Sequence, residues 1–349
     1  MCAHRNANRP FKVVVPALHP RFENAALLLA GKGCRIERLP PGTPGMTKWT
    51  PELMAAHLAD ADALVGTFPE YPITREVIAA APRLRVITST IIGTENFDVE
   101  AATDLGIVVA HGATPENTLG VAEAVVMLVA AWRKRLVPKL DAVRSGGWRV
   151  PDAGHLVRGA TVGLIGFGRI GQATAKRLAG WECRLLAFDP YVDAAVAREH
   201  GVELITLDEL LARSDVVSIM VTLTSETRYL IGARELTLMK PDAFLINTAR
   251  GGCVDEAALL EALDGGRLAG AALDTWEDER PQGSSPLRKH PKVIGTAHNV
   301  GHSEELYDGL GPMAAQNTWL ALNGETPTYV KNPEVLTRWR ERLKKLAAE

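Results

Sequence analysis

Arg250, Glu279 and His298 are the side chains of this sequence whose types and settings could do chemistry together. Arg250 lies in LINTARGG, just after the apolar run 243–247. Glu279 lies in ALDTWEDERP after the run 270–273, and His298 in VIGTAHNVGH after 293–295. In an open parallel sheet, ligands bind beyond the carboxyl ends of strands, so three strand-end side chains can converge. A guanidinium can grip a carboxylate and polarise an adjacent ketone oxygen. An imidazolium can donate a proton to that oxygen as hydride reaches carbon. A carboxylate beside the imidazole favours its protonated form and fixes the ring. Singly, each has a plainer reading: a turn cap for Arg250, one of three solvated acids at 277–279 for Glu279, and a loop histidine for His298. What singles them out is the set, placed after three strands of one sheet.

A hydride needs a carrier, and residues 160–171, ATVGLIGFGRIG, supply the setting for one. The segment reads as an apolar strand, a glycine turn and a helix start at Arg169 and Ile170. Gly166 allows a tight turn, Gly168 lets backbone approach a pyrophosphate, and Gly171 lets helix and strand pack closely. Free N–H groups of the helix would point at the phosphates. A second strand, 184–188, ends at Asp189, about 20 residues on, where a carboxylate accepts the adenosine ribose hydroxyls. Pro190 and Tyr191 follow it and offer no counter-charge to a 2′-phosphate. The cofactor expected is NAD(H) rather than NADP(H).

The elements that must position these groups alternate along the chain. Short β-branched strands are expected at 12–15, 63–65, 85–88 and 107–110, with helices such as 24–30, 51–59 and 74–80 between them. A long helical pattern, 116–144, has a wide apolar face suited to bridging domains or meeting a second subunit. Residues 145–159 read as a glycine-rich connection. A second set of strands follows at 162–165, 184–188, 216–221, 243–247, 270–273 and 293–295, with helices at 170–178, 194–200, 207–213 and 256–264. The pattern predicts an α/β protein with two doubly wound, Rossmann-like parallel-sheet domains and a cleft between them. A further helix, 303–322, is expected to return to the first domain. That makes the substrate domain discontinuous, 1–115 plus 303–349, around a cofactor domain, 116–302. The tail TRWRERLKKLAAE reads as a solvated charged helix.

The 349 residues suffice for two cores, and the net charge of −2 gives no attraction toward nucleic acid or anionic membrane. No apolar run approaches a membrane span, and the N-terminal MCAHRNANRPFK lacks a signal core. Cys2, Cys34, Cys183 and Cys253 are scattered, which fits free thiols in a reducing cytoplasm.

With these motifs in view, the chain resembles the D-isomer-specific 2-hydroxyacid dehydrogenases over about residues 60–330. GLIGFGRIGQATAKRLAGW, SDVVSIMVTLTSETRYLIG and LMKPDAFLINTARGGCVDEAALLEAL resemble that family's three signatures. IIGTENFDVEAATDLGIVV and GATPENTLGVAEAV resemble its substrate loop and long helix. The resemblance implies that Arg250 binds substrate, His298 is the acid/base and Glu279 its partner. It implies cofactor contacts at Thr118, Thr222, Thr227, Thr248, Ala249 and Asp274. It also implies that backbone N–H groups of Ile92 and Gly93 hold the substrate carboxylate, and that the protein is a homodimer acting on a small 2-oxo or 2-hydroxy acid.

Several positions depart from the pattern. Met220 and Thr222 stand where His and Pro are common, Ala297 where Pro is common, and Asn299 and His302 where residues are usually apolar or small. The segment 68–73, FPEYPI, is also unusual. These leave the substrate open between glyoxylate or hydroxypyruvate and phosphoglycerate types. A formate dehydrogenase would carry Gln in place of Glu279. A second class, an NAD(H)-sensing co-repressor-like interaction protein, shares the fold, and the absence of a long disordered tail counts against it. A metal site at His298 and His302 would need a helix, which Gly301 disfavours.

Overall fold

Short aliphatic runs build two all-parallel sheets in the computed structural model, which describes residues 9–16, 23–39, 51–67, 73–149, 151, 153–280 and 283–348. Cys2 and residues 68–72 of the FPEYPI segment lie outside the described residues, as do the first eight residues of the N-terminal stretch. The chain divides into two units, Met1–Glu116 with Ser303–Glu349, and Asn117–His302.

The first unit carries β1 (Lys12–Val15), β2 (Arg35–Arg38), β3 (Ala63–Val65), β4 (Val86–Ser89) and β5 (Val108–His111), in the order β2-β1-β3-β4-β5. Strands β1, β3 and β4 are buried throughout. Helices cover both faces, so interior strands read as continuous apolar runs without alternation. One face packs on Leu58, Ile78 and Phe97. The other packs on Leu29, Ala315 and Trp339.

Trp339 corrects an expectation. The tail helix, Leu336–Ala348, is not simply solvated: Trp339, Leu343 and Leu346 are buried, and Trp339 Nε1 donates to Arg85 O at 2.9 Å. Two of its charges also pin it down: Arg338 Nη1 donates to Asp104 O (3.0 Å) and Arg342 Nε to Leu84 O (2.9 Å). The helix Glu304–Leu322 starts on Ser303, whose Oγ accepts from Leu306 N. It is tied to the sheet of this unit by Thr318 Oγ1 donating to Thr88 Oγ1 (2.8 Å) and Asn317 Nδ2 to His111 O (2.8 Å).

The second unit carries β6 (Thr161–Ile165), β7 (Arg184–Phe188), β8 (Glu203–Leu204), β9 (Val216–Ile219), β10 (Phe244–Asn247), β11 (Gly270–Leu273) and β12 (Val293–Gly295), in the order β12-β11-β10-β9-β6-β7-β8. The order reverses between β6 and β9. That switch point is where ligands bind in open α/β sheets. The two sheets confirm the expected two-domain parallel α/β class.

The expected 116–144 helix is two helices, Pro115–Arg133 and Leu136–Arg144, with Arg135 in left-handed backbone (φ 54°) between them. Pro138 explains the break. Inside one continuous helix it would lose a hydrogen bond and clash with the preceding turn. With the break it falls in the first turn of a new helix, where N–H groups have no intrahelical partner. Trp132 stacks on Phe244 with centroids 4.2 Å apart, which docks the longer helix on this unit's sheet. The predicted strand 216–221 ends at Ile219. Strands β2 and β8 were not expected, because each lies at a sheet edge and carries charged residues.

Candidate active site

The glycine turn lies at the switch point. Gly166 has φ +94°, and a Cβ there would lie 2.8 Å from Met220 O. A Cβ on Gly171 would lie 2.5 Å from Gly166 O, whereas one on Gly168 would meet nothing within 4 Å. Two glycines are thus required by packing, and the third leaves open space over its backbone. The helix Arg169–Leu178 begins there with Gly168 as its N-cap and no side-chain cap, which leaves Arg169 and Ile170 at an uncapped helix N-terminus. Asp189 Oδ2 accepts from Phe167 N (2.8 Å) and Oδ1 from Tyr191 N (2.9 Å). The acid at the end of β7 is therefore pinned to the turn itself. Open space over Gly168, the uncapped helix start and the fixed carboxylate fit a dinucleotide.

Other expected cofactor positions surround the same sheet edge. Thr248 and Ala249 follow β10, and the buried Thr248 Oγ1 has no hydrogen-bond partner among the described residues. Thr227 Oγ1 accepts from Thr224 N (2.8 Å) and donates to Thr222 O (2.6 Å), so its hydroxyl braces the 222–227 turn. Thr118 lies in the first turn of the Pro115–Arg133 helix. That turn reaches the segment after His298, since a Cβ on Gly120 would lie 2.1 Å from Gly301 O.

His298 and Glu279 meet: Nδ1 and Oε2 are 2.9 Å apart. Their hydrogen bond raises the imidazole pKa above its ordinary 6.5; partial burial opposes it and the Glu279 charge adds to it. Burial pushes the Glu279 carboxyl up, but the His298 bond and charge, with Arg250, outweigh it and hold the pKa below 4.5. An imidazolium beside a carboxylate is the stable pairing, and with Nδ1 engaged, Nε2 is left to face a substrate.

Arg250 follows β10 and donates through Nη1 to Ala249 O (2.8 Å). Its turn is held by Asn247, which is 1% exposed. Asn247 Oδ1 accepts from Ala249 N (3.1 Å), and its Nδ2 donates to Arg250 O (2.9 Å). A Cβ on Gly251 would lie 2.0 Å from the Trp276 carbonyl carbon, so the Arg250 turn rests directly on the Glu279 segment.

Asp274, a cofactor contact by the resemblance, makes a set of hydrogen bonds that the sequence did not suggest. His298 is a non-glycine residue in left-handed backbone, φ 54°. Such strain persists only where the surroundings over-determine it. Here His298 N donates to Asp274 O (2.7 Å). Asp274 Oδ1 accepts from Thr296 Oγ1 (2.7 Å), Asn299 N (3.0 Å) and Val300 N (3.1 Å). The buried carboxylate at the end of β11 thus clamps both flanks of the histidine. Asn247 and this clamp were not foreseen, although the Asn two residues before Ala249 and the Asp at a strand end were visible signals.

Three of the departures, Ala297, Asn299 and His302, fall around this clamp, and Met220 and Thr222 follow β9. Ala297 and Asn299 flank His298 and are exposed, and His302 N donates to Asn299 O (3.0 Å). His298 and His302 lie in a turn before the Glu304–Leu322 helix and do not share a helix face. Met220 Sδ accepts from Thr174 Oγ1 (3.8 Å). In the first unit, Ile92 and Gly93 lie in the loop after β4. There Ser89 Oγ donates to Gly93 O (2.7 Å) and accepts from Ile91 N (3.2 Å). The Glu95 carboxylate lies against Gly93, 2.5 Å from where a Cβ would sit.

Comparison with known proteins places this geometry. Residues 126–300 match the family described as D-isomer specific 2-hydroxyacid dehydrogenase, NAD binding domain. A Methanocaldococcus jannaschii D-3-phosphoglycerate dehydrogenase is 38% identical over 293 residues, which cover 82% of this chain and 54% of that protein. This chain therefore spans about half the length of that relative. A Korarchaeum cryptofilum glyoxylate reductase is 38% identical over 292 residues, 82% of this chain and 87% of the relative. A crystal structure of a Pyrococcus horikoshii protein superposes with a TM-score of 0.78 at 28% identity, covering 97% of this chain and 99% of that one.

Proposed function

This chain belongs to the D-isomer specific 2-hydroxyacid dehydrogenase family, and we propose that it interconverts a small 2-oxo acid and its 2-hydroxy acid with NAD(H). The observation that carries the reading is the 2.9 Å His298–Glu279 pair beside Arg250 at the strand ends of the sheet that carries the glycine turn. When bound, NADH supplies the hydride to the ketone carbon. Arg250 grips the substrate carboxylate and polarises the ketone. His298 gives its Nε2 proton to the ketone oxygen, and the neutral imidazole that remains is held through Nδ1 by Glu279. Ile92 and Gly93 offer backbone N–H groups to the carboxylate. Thr118, Thr222, Thr227, Thr248, Ala249 and Asp274 line the cofactor, and Asp189 takes its ribose hydroxyls.

The relatives' names divide between a phosphorylated substrate and an unphosphorylated one. An uncharged tail suits this chain better. Among the described residues, the loops after β3, β4 and β5 (66–67, 90–98 and 112–114) contain Glu95 and Asp98 and no Lys or Arg to pair a phosphate. The chain is further proposed to act in the cytoplasm as a homodimer. Cys34, Cys183 and Cys253 are free thiols, and no described helix is long and apolar enough to cross a membrane. The helix Leu136–Arg144 buries none of its residues and exposes Leu136, Leu140 and Val143, and Met127 before it and Trp148 after it in sequence are exposed too.

The test is to mix the protein with NADH or NADPH and a panel of glyoxylate, hydroxypyruvate and phosphohydroxypyruvate. Loss of NADH absorbance, fastest with an unphosphorylated acid, supports the reading. Binding of NADH with no turnover on any member contradicts it.

A further inference from the structure

The Glu279–His298 pair poses a problem of positioning. The two side chains are 43% and 41% exposed, so no packed core fixes them. An exposed ion pair stabilises too weakly to order two loops by itself. The order must come from the backbone that carries them.

Arg288, in the turn Pro286–Lys289, meets that backbone at both sides of Glu279. Its Nη1 donates to Arg280 O (2.9 Å) and its Nη2 to Asp278 O. One planar fork therefore grips the carbonyls that bracket the acid. The turn is anchored beneath by Leu287, which is 1% exposed. The guanidinium also lies over the Trp276 ring, 5.3 Å from its centroid. Trp276 is itself buried, and its Nε1 donates to Thr296 O (2.8 Å), two residues before His298. Gly283 leaves the space, since a Cβ there would lie 2.6 Å from Nη2. The same cation thus touches the acid's loop directly and the imidazole's loop through an indole.

We propose that Arg288 is a positioning residue for the reaction: by gripping the carbonyls of Asp278 and Arg280 and lying on Trp276, it holds the Glu279 carboxylate in line with Nδ1 of His298. This rests on the reading of His298 as the acid/base. Four charged or titratable groups act on or beside that imidazole: Glu279, Arg250, Asp274 and His302. Asp278 is paired with Arg280, on the outer side of the loop.

The experiment compares the pH dependence of kcat/KM for 2-oxo acid reduction in the full chain, as wild type, Glu279→Gln, Arg288→Met and Arg288→Lys. Met keeps the apolar contact with Trp276 and lacks donors. Lys keeps the charge but cannot span two carbonyls as a planar fork. Arg288→Met is expected to lower kcat about tenfold or more, in the range misplacement alone can cause. It should leave the NADH dissociation constant unchanged and move the falling limb of the profile to lower pH. Arg288→Lys should lie between Met and wild type. If Glu279→Gln moves the limb and neither Arg288 variant does, whatever happens to their melting temperatures, the positioning role is overturned and the acid/base reading stands. If wild type has no falling limb, or Glu279→Gln leaves it in place, the acid/base reading falls and takes this proposal with it. Should Arg288→Met fail to fold, the limb of Arg288→Lys decides alone.

Discussion

The glycine turn at 165–171 and the loops carrying Glu279 and His298 belong to one unit but are built by opposite means. The turn is held by glycine backbone shape and close backbone packing, with Asp189 reaching Phe167 N across 22 positions. Gly171 packs on Gly166 O, and Gly166 takes a backbone shape that only glycine adopts cheaply. The histidine loop is held by hydrogen bonds between distant residues. Asp274 reaches Asn299 across 25 positions, and Glu279 reaches His298 across 19. The turn has no side chain that titrates at its centre. The loops hold an exposed imidazole in strained backbone with a raised pKa. A cofactor site needs a fixed shape, whereas an acid/base must be reachable and tuned, and the two constructions follow those needs.

Substitutions should separate the two regions. His298→Ala removes the proton donor and is expected to lower kcat by about 10²–10⁴-fold. The NADH dissociation constant, read by fluorescence titration, should stay nearly the same. Turnover close to wild type would remove His298 from the mechanism. Gly166→Ala should do the reverse. A left-handed alanine costs about 1–2 kcal/mol, and its Cβ must also displace Met220 O. NADH affinity should drop about tenfold or more, with the position of the pH limb unchanged. A shifted limb would show that the two regions are not separable. Asp189→Ala should have a smaller effect still, lowering the preference for NADH over NADPH by about tenfold, the worth of one lost charged hydrogen bond. A wild type that already prefers NADPH would contradict the role given to Asp189.

The same contrast explains what could be read from sequence. The glycine turn, the strand before it and the acid after it are contiguous, so their spacing carries the structure. Arg250, Glu279 and His298 each follow a legible strand, so their convergence on one sheet edge was also readable. The devices that align them were not. Asn247, the Arg288 fork and the Asp274 clamp act on backbone atoms from 2 to 26 positions away, and no periodicity encodes such contacts. Edge strands β2 and β8 escaped because charged residues mask a two-sided strand. In the tail helix, Trp339, Leu343 and Leu346 recur at helical spacing, yet the surrounding charges outweighed that signal. Pro138 was in plain view within the long helical pattern and should have divided it.

The pH profile of 2-oxo acid reduction by wild type and Glu279→Gln is the most direct test of the central claim. Reduction consumes the imidazolium, and Glu279 raises its pKa above 6.5. Wild-type kcat/KM should therefore hold through neutral pH and fall about tenfold per pH unit above that raised pKa, and Glu279→Gln should bring the fall to lower pH. Superimposable profiles for the two proteins would contradict the account.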